Sequence, residues 1–209
     1  KMIYSKGNMR AAVCCSHENF EKAVGIVKKL ALFDGKAAEK TVFVPDLKTE
    51  IIRKDVNVNT ISLAFRHGGS PEAAFAAAEI MKTTLLWEKV RGAGAYGSTA
   101  YATPSGSFCI NSFKDINFEK TIDTFFECIG LMRNFSPTEE EMQRYRLMCL
   151  NTADRPKSRQ QLNYAALSEY FGCDTDMHEN LLKLTAKDVQ NVFDGVEAST
   201  VKTAAVKGK

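Results

Sequence analysis

Two side chains that donate hydrogen bonds flank a turn of small residues in Leu85-Leu86-Trp87-Glu88-Lys89-Val90-Arg91-Gly92-Ala93-Gly94-Ala95-Tyr96-Gly97. The Arg91 guanidinium and the Tyr96 phenol, aimed at one carbonyl, suit peptide-backbone binding and the stabilisation of charge that develops during acyl transfer. The residue types alone leave a second reading open, in which Arg91 caps a helix through the macrodipole and Tyr96 fills the core with its hydroxyl satisfied.

Other chemistries find less support. Gly92-Ala93-Gly94-Ala95-Tyr96-Gly97 matches G-x-G-x-x-G by letter, but a dinucleotide loop needs a strand before the glycines and a helix after them, and here the order is reversed. Gly92, Gly94 and Gly97 read instead as a helix stop followed by backbone with positive φ. His17, His67 and His178 are isolated, and none has a second His at i+4, so a zinc site within this chain is not expected. Cys173 and His178 fall near a helix end with no third residue to orient them, and no Ser elbow is present. None of these sets could cut a peptide that Arg91 and Tyr96 had gripped.

Arg91 and Tyr96 need a helix before the turn and a strand after it, and the pattern supplies both. Ser70-Pro71-Glu72 places a capping hydroxyl ahead of Pro at the first helical position, and the Ala-rich run to Val90 predicts a long helix. Strands over 97–103 and 107–113, joined through Pro104-Ser105-Gly106, make a hairpin. Strict alternation over 59–66 predicts another strand, 9–15 a first one, 42–44 a short one and 201–206 a last one. Helices are expected over 18–32, from Phe118 through Met132, behind a capping box at Ser136-Pro137-Thr138-Glu139, from about Lys157 to Phe171, and from Thr185. This order predicts an α+β fold, a largely antiparallel sheet with helices packed on one face, in one compact domain over 1–209.

With 209 residues, 44% hydrophobic and 25% charged, the chain can bury a sizeable core. A net charge of +3 with no basic run among aromatics argues against nucleic acid. No window has the roughly 18 apolar residues of a membrane span, so no membrane partner is expected. Six cysteines without regular spacing, at a length that needs no staple, point to a reducing compartment; whether that is an intracellular one at large or an organelle such as a mitochondrion or plastid stays unknown from the residues. In a strand over 9–15, Cys14 and Cys15 would face opposite ways. Because the chain opens on Lys1, it reads as a piece of something longer.

The string Leu86 to Gly97, the strand Ser107 to Phe113, the run Lys114-Asp115-Ile116-Asn117, Val58-Asn59-Thr60 and Leu184-Thr185-Ala186-Lys187-Asp188 together resemble the last domain of the M16 zinc metallopeptidases, in the presequence-degrading and falcilysin-like branch. The resemblance implies a metal-free α+β domain of the processing-peptidase type, in a protein whose N-terminal half carries zinc on H-x-x-E-H and encloses a peptide against the C-terminal half. It also implies that an Arg and a Tyr, here Arg91 and Tyr96, reach toward substrate. The branch carries one more residue between that pair, a difference a Gly turn can absorb. The alternative within the same fold is a structural relative without peptidase activity, such as a non-catalytic processing-peptidase subunit or a respiratory-complex core protein.

The absence of a ligand cluster predicts that this chain folds without metal. Elemental analysis of the purified chain after dialysis against a chelator should find far less than one equivalent of zinc.

Overall fold

The computed structural model describes residues 6–30, 34–36, 48–103, 105–170 and 177–208. They group into two compact units, one from 1–45 with 155–176 and one from 46–154 with 177–209. In the first, a 3-10 turn leads into α1 (Phe20–Lys28), and α5 (Arg159–Tyr170) follows much later in sequence. Neither helix contains a fully buried residue.

The second unit holds the sheet and the core. Its strands are β1 (Glu50–Arg53), β2 (Asn59–Arg66), β3 (Gly97–Ala102), β4 (Ser107–Asp115) and β5 (Lys202–Lys207). Their order is β1-β5-β2-β4-β3; β1 runs parallel to β5 and every other pair is antiparallel. The helices are α2 (Pro71–Met81), α3 (Phe118–Arg133), α4 (Glu139–Ala153), α6 (His178–Lys183) and α7 (Ala186–Asn191).

Period-2 alternation decides which side of the sheet is covered. Ile61, Leu63 and Phe65 of β2, Phe108 and Ile110 of β4, and Ala100 of β3 are buried on one face. The Phe65 and Phe108 rings stack at 5.3 Å, and Phe193 meets Phe108 edge-on at 5.2 Å. Helices α2 and α3 lie against this face. The buried alanines 73, 74, 76, 77 and 78 let α2 approach closely, while α3 contributes Phe125, Cys128, Ile129 and Met132. On the opposite face Ser62, Ala64, Cys109 and Asn111 are half-buried and Tyr101 is exposed.

Helices α2 and α7 start at the expected caps, but α4 starts at Thr138 and not at Ser136, because Glu141 and not Glu139 is the carboxylate that folds back onto the cap. The Ser70 hydroxyl accepts from the Ala73 N–H at 3.2 Å, and Thr138–Glu141 and Thr185–Asp188 close capping boxes. Four further expectations change. Residues 9–15 form no strand: alternation needs a partner ladder, none pairs with them among the described residues, and none of them is fully buried. The opposed faces expected for Cys14 and Cys15 lapse with that strand. The helix expected to run to Val90 is α-helical only to Met81 and continues as a π-helix over Lys82–Arg91. Strand β1 and helix α6 were not expected; β1 reads Glu-Ile-Ile-Arg, without alternation, and is fixed by pairing with β5. The strand expected at 42–44 lies outside the described residues.

Phe125 is fully buried under the sheet. Phe125→Ala should cost about 3–5 kcal/mol in denaturant titrations. Glu119, exposed and paired with Lys207, should cost far less on truncation.

Candidate functional site

The site begins where the helix changes winding. At the junction the Thr83 hydroxyl donates to the Glu79 carbonyl at 2.7 Å and the Thr84 hydroxyl to the Ile80 carbonyl at 2.6 Å, acceptors that an α-helix reserves for backbone N–H groups. Beyond them, Gly92 N–H bonds the Trp87 carbonyl at 3.1 Å and Ala95 N–H the Val90 carbonyl at 3.2 Å, both i→i−5. Residues four apart are neighbours on one helix face. Leu86 and Val90 face inward and are buried, while outside them the Arg91 guanidinium lies over the Trp87 ring, 4.2 Å from its centroid.

The turn needs glycine for reasons that differ by position. Gly94 has φ +116°, and a Cβ there would also sit 2.9 Å from the Ile116 side chain. Gly97 is an ordinary strand residue, yet its missing side chain makes room for the Phe113 ring, which a Cβ would overlap. Gly92 closes the helix with helical φ −59°. Gly92 is the expected helix stop, and of the two glycines after it only Gly94 adopts the positive φ expected there.

Across the hairpin, β4 carries one extra residue. Asn59 pairs with Asp115 but Thr60 pairs with Phe113, which leaves Lys114 bulged, with φ +49°. The bulge turns Asp115 inward, fully buried, and Lys114 outward. Asp115 Oδ1 then accepts the Asn117 N–H at 2.8 Å, and Asn117 Nδ2 reaches back to the Ala93 carbonyl at 2.7 Å. Asn59 Nδ2 donates to the Asp115 carbonyl at 2.9 Å, and Tyr96 N–H donates to the Lys114 carbonyl at 3.3 Å. The residues Asn59 and Lys114-Asp115-Ile116-Asn117 therefore anchor the Gly turn, a role their side chains alone did not announce.

Tyr96 is not a core residue. It is 66% exposed, its ring centroid is 6.2 Å from that of Phe113, and the Lys114 ammonium stands 4.8 Å above it. Its phenol makes no hydrogen bond to any described residue, and Arg91 and Lys114 have no carboxylate partner among the described residues. Tyr96 and Arg91 open onto one groove, lined also by Thr84, Trp87, Glu88 and Ala95. Such a groove presents a guanidinium fork and a phenol to an acceptor; it contains no nucleophile paired with a base.

The other candidates stay apart. Among the described residues no group of three or more His, Cys, Asp or Glu could hold a metal ion. Burial pushes the His67 imidazole below its usual range, and its Nδ1 is unpartnered. His178 lies 3.6 Å from Asp154, and Cys173 is outside the described residues. Burial pushes the Cys128 and Cys149 thiols up to about 12 and raises that of Cys109, so none of these three is an activated nucleophile.

A family model described as the PreP C-terminal domain matches residues 51–206. Protein HypA of Clostridium perfringens is 25% identical over 201 residues, covering 91% of this chain and 21% of HypA. An uncharacterized protein of Borreliella burgdorferi is 26% identical over 161 residues, 75% of this chain and 16% of that protein. The chain thus spans about a sixth to a fifth of the length of these curated relatives. The crystal structure of a peptidase M16 inactive domain from Pseudomonas fluorescens superposes with TM-score 0.61 at 16% identity, covering 93% of this chain and 52% of that one.

Gly97→Ala should displace Phe113 and cost about 1–3 kcal/mol, with a changed near-UV signal from the aromatic pair. Gly130→Ala, in α3 with open space around its Cβ, should be stabilising by about 0.5–1 kcal/mol. Thermal denaturation of both variants checks the contrast.

Proposed function

Because the chain belongs to the PreP C-terminal-domain family, we propose that it is the substrate-enclosing part of a zinc metalloendopeptidase and that Arg91 and Tyr96 are its contribution to peptide hydrolysis. It is itself a non-catalytic domain of the M16 type, and its described residues do not fit a zinc site. The zinc and the residues that cleave belong, on this reading, to an N-terminal half of the same longer chain, which is also its partner in closing around the peptide.

The observation that carries the reading is the exposed phenol of Tyr96, with no hydrogen-bond partner among the described residues, beside a guanidinium held on a tryptophan face instead of on a carboxylate. A tyrosine meant only for packing would be buried, and an arginine meant only for capping would bond the last carbonyls. Arg91, stacked on Trp87, keeps its N–H groups free to donate to a peptide carbonyl. The Tyr96 hydroxyl donates from the neighbouring position. Both bonds strengthen as the carbonyl oxygen gains negative charge, which is where donors fixed in advance lower a barrier.

The test uses the full-length protein with a fluorogenic peptide. Tyr96→Phe and Arg91→Ala should each lower kcat by roughly 10²–10³ with smaller changes in KM, and the double variant should lose less than the product of the two. Wild-type rates in both single variants, with folding verified by circular dichroism, would overturn the role. An upstream sequence lacking H-x-x-E-H would favour the structural alternative instead.

A further inference from the structure

We propose that Lys114 is a positioning residue of this site, and that the β4 bulge exists to bring its ammonium onto the Tyr96 ring. The proposal rests on Tyr96 being the group that meets the peptide. Under unbroken alternation Lys114 would follow Ser112 on the inward-facing side of β4, where a lysine cannot be accommodated among Ile110, Ser112 and the core. The bulge instead places a left-handed backbone at a residue that has a Cβ, a conformation that glycine would adopt freely.

A strained non-glycine residue is kept for what its side chain does. Here the backbone and the side chain act on the same neighbour: the Lys114 carbonyl accepts the Tyr96 N–H at 3.3 Å, and the Lys114 Nζ stands 4.8 Å from the Tyr96 ring centroid. Among the described residues the aromatic neighbour of Tyr96 is Phe113, at a ring separation of 6.2 Å, and its phenol has no described partner. An exposed ring with one aromatic neighbour would sweep a wide arc about its side-chain torsions. The ammonium supplies a second point of contact and narrows that arc without occupying the hydroxyl. Lys114 itself has no carboxylate partner among the described residues, so its charge stays with the ring. Its role is distinct from that of Arg91, which lies on Trp87 and is held by the π-helical turn.

Three substitutions separate the side chain from the backbone: Lys114→Met removes the charge and keeps the stem, Lys114→Arg keeps a cation, and Lys114→Gly relieves the left-handed strain while removing everything beyond Cα. In the chain carrying ring-labelled tyrosine, 13C relaxation should show the Tyr96 ring more mobile in K114M and K114G and unchanged in K114R. The melting temperature of K114G should equal or exceed that of the native chain. In the full-length protein, kcat should fall about two- to five-fold in K114M and K114G at unchanged KM, the size of an exposed cation–aromatic contact, and K114R should restore it. A Tyr96 ring unmoved in K114M overturns the proposal whatever the rates, as do equal losses of kcat in K114M and K114R. A loosened ring in K114M together with wild-type rates in Tyr96→Phe overturns instead the functional reading of Tyr96, and leaves the contact standing.

Discussion

One extra residue in β4 sets the direction of everything beyond it. Side chains on a strand alternate, so a single insertion reverses inward and outward for the residues that follow. Before Lys114, Phe108, Ile110 and Ser112 point to the core; after it, Asp115 does. That reversal buries a carboxylate where it can receive the Asn117 N–H, starts α3 with Asn117 bound to Ala93, and so ties the loop that carries Tyr96 to the strand pairing of Asn59. The site is thus an outgrowth of sheet register, and its rigidity is drawn from the best-paired part of the fold.

The second support comes from the helix side. A change from α to π winding costs hydrogen-bond geometry, and such turns recur where a side chain must be aimed. Here the change starts at two consecutive threonines and ends at Gly92, and its outcome is a tryptophan and an arginine in line on the exposed flank. Sheet and helix approach the groove from different parts of the chain, and the Gly92-to-Gly97 turn is short enough to leave little freedom between them.

Legibility in the sequence followed the range of the forces involved. Strand β2, the start of α2, the hairpin and the Thr185 capping box are local, set by period, Ser or Thr caps and turn residues, and they lie where the pattern puts them; the α4 box, with two hydroxyls and three successive glutamates to choose from, lies two residues later. The closeness of Arg91 and Tyr96 was legible from their spacing, and the groove they both line follows from the turn. The π winding was not, because the threonine hydroxyls compete for carbonyls in a way that helix propensity does not encode. Nor was the bulge: it exists only as a mismatch of register between Asn59 and Lys114-Asp115, residues far apart in sequence. Strand β1 depends on a partner supplied near residue 204, and residues 9–15 alternate but find no ladder among the described residues.

That β5 lies between β1 and β2 has a consequence for biosynthesis. The strand in the interior of the sheet is the latest of the five to leave the ribosome. Until it arrives, β2 can pair with β4 but shows its other edge, Thr60 to Ala64, to solvent, with Ile61 and Leu63 beside it. Such an edge is a template for foreign strands. Closing it requires a contact between the ends of a long loop, slow to form by chain entropy alone. The strand order thus predicts an interval during synthesis in which this domain is open to mispairing, and shielding of the β2 edge would matter most in that interval.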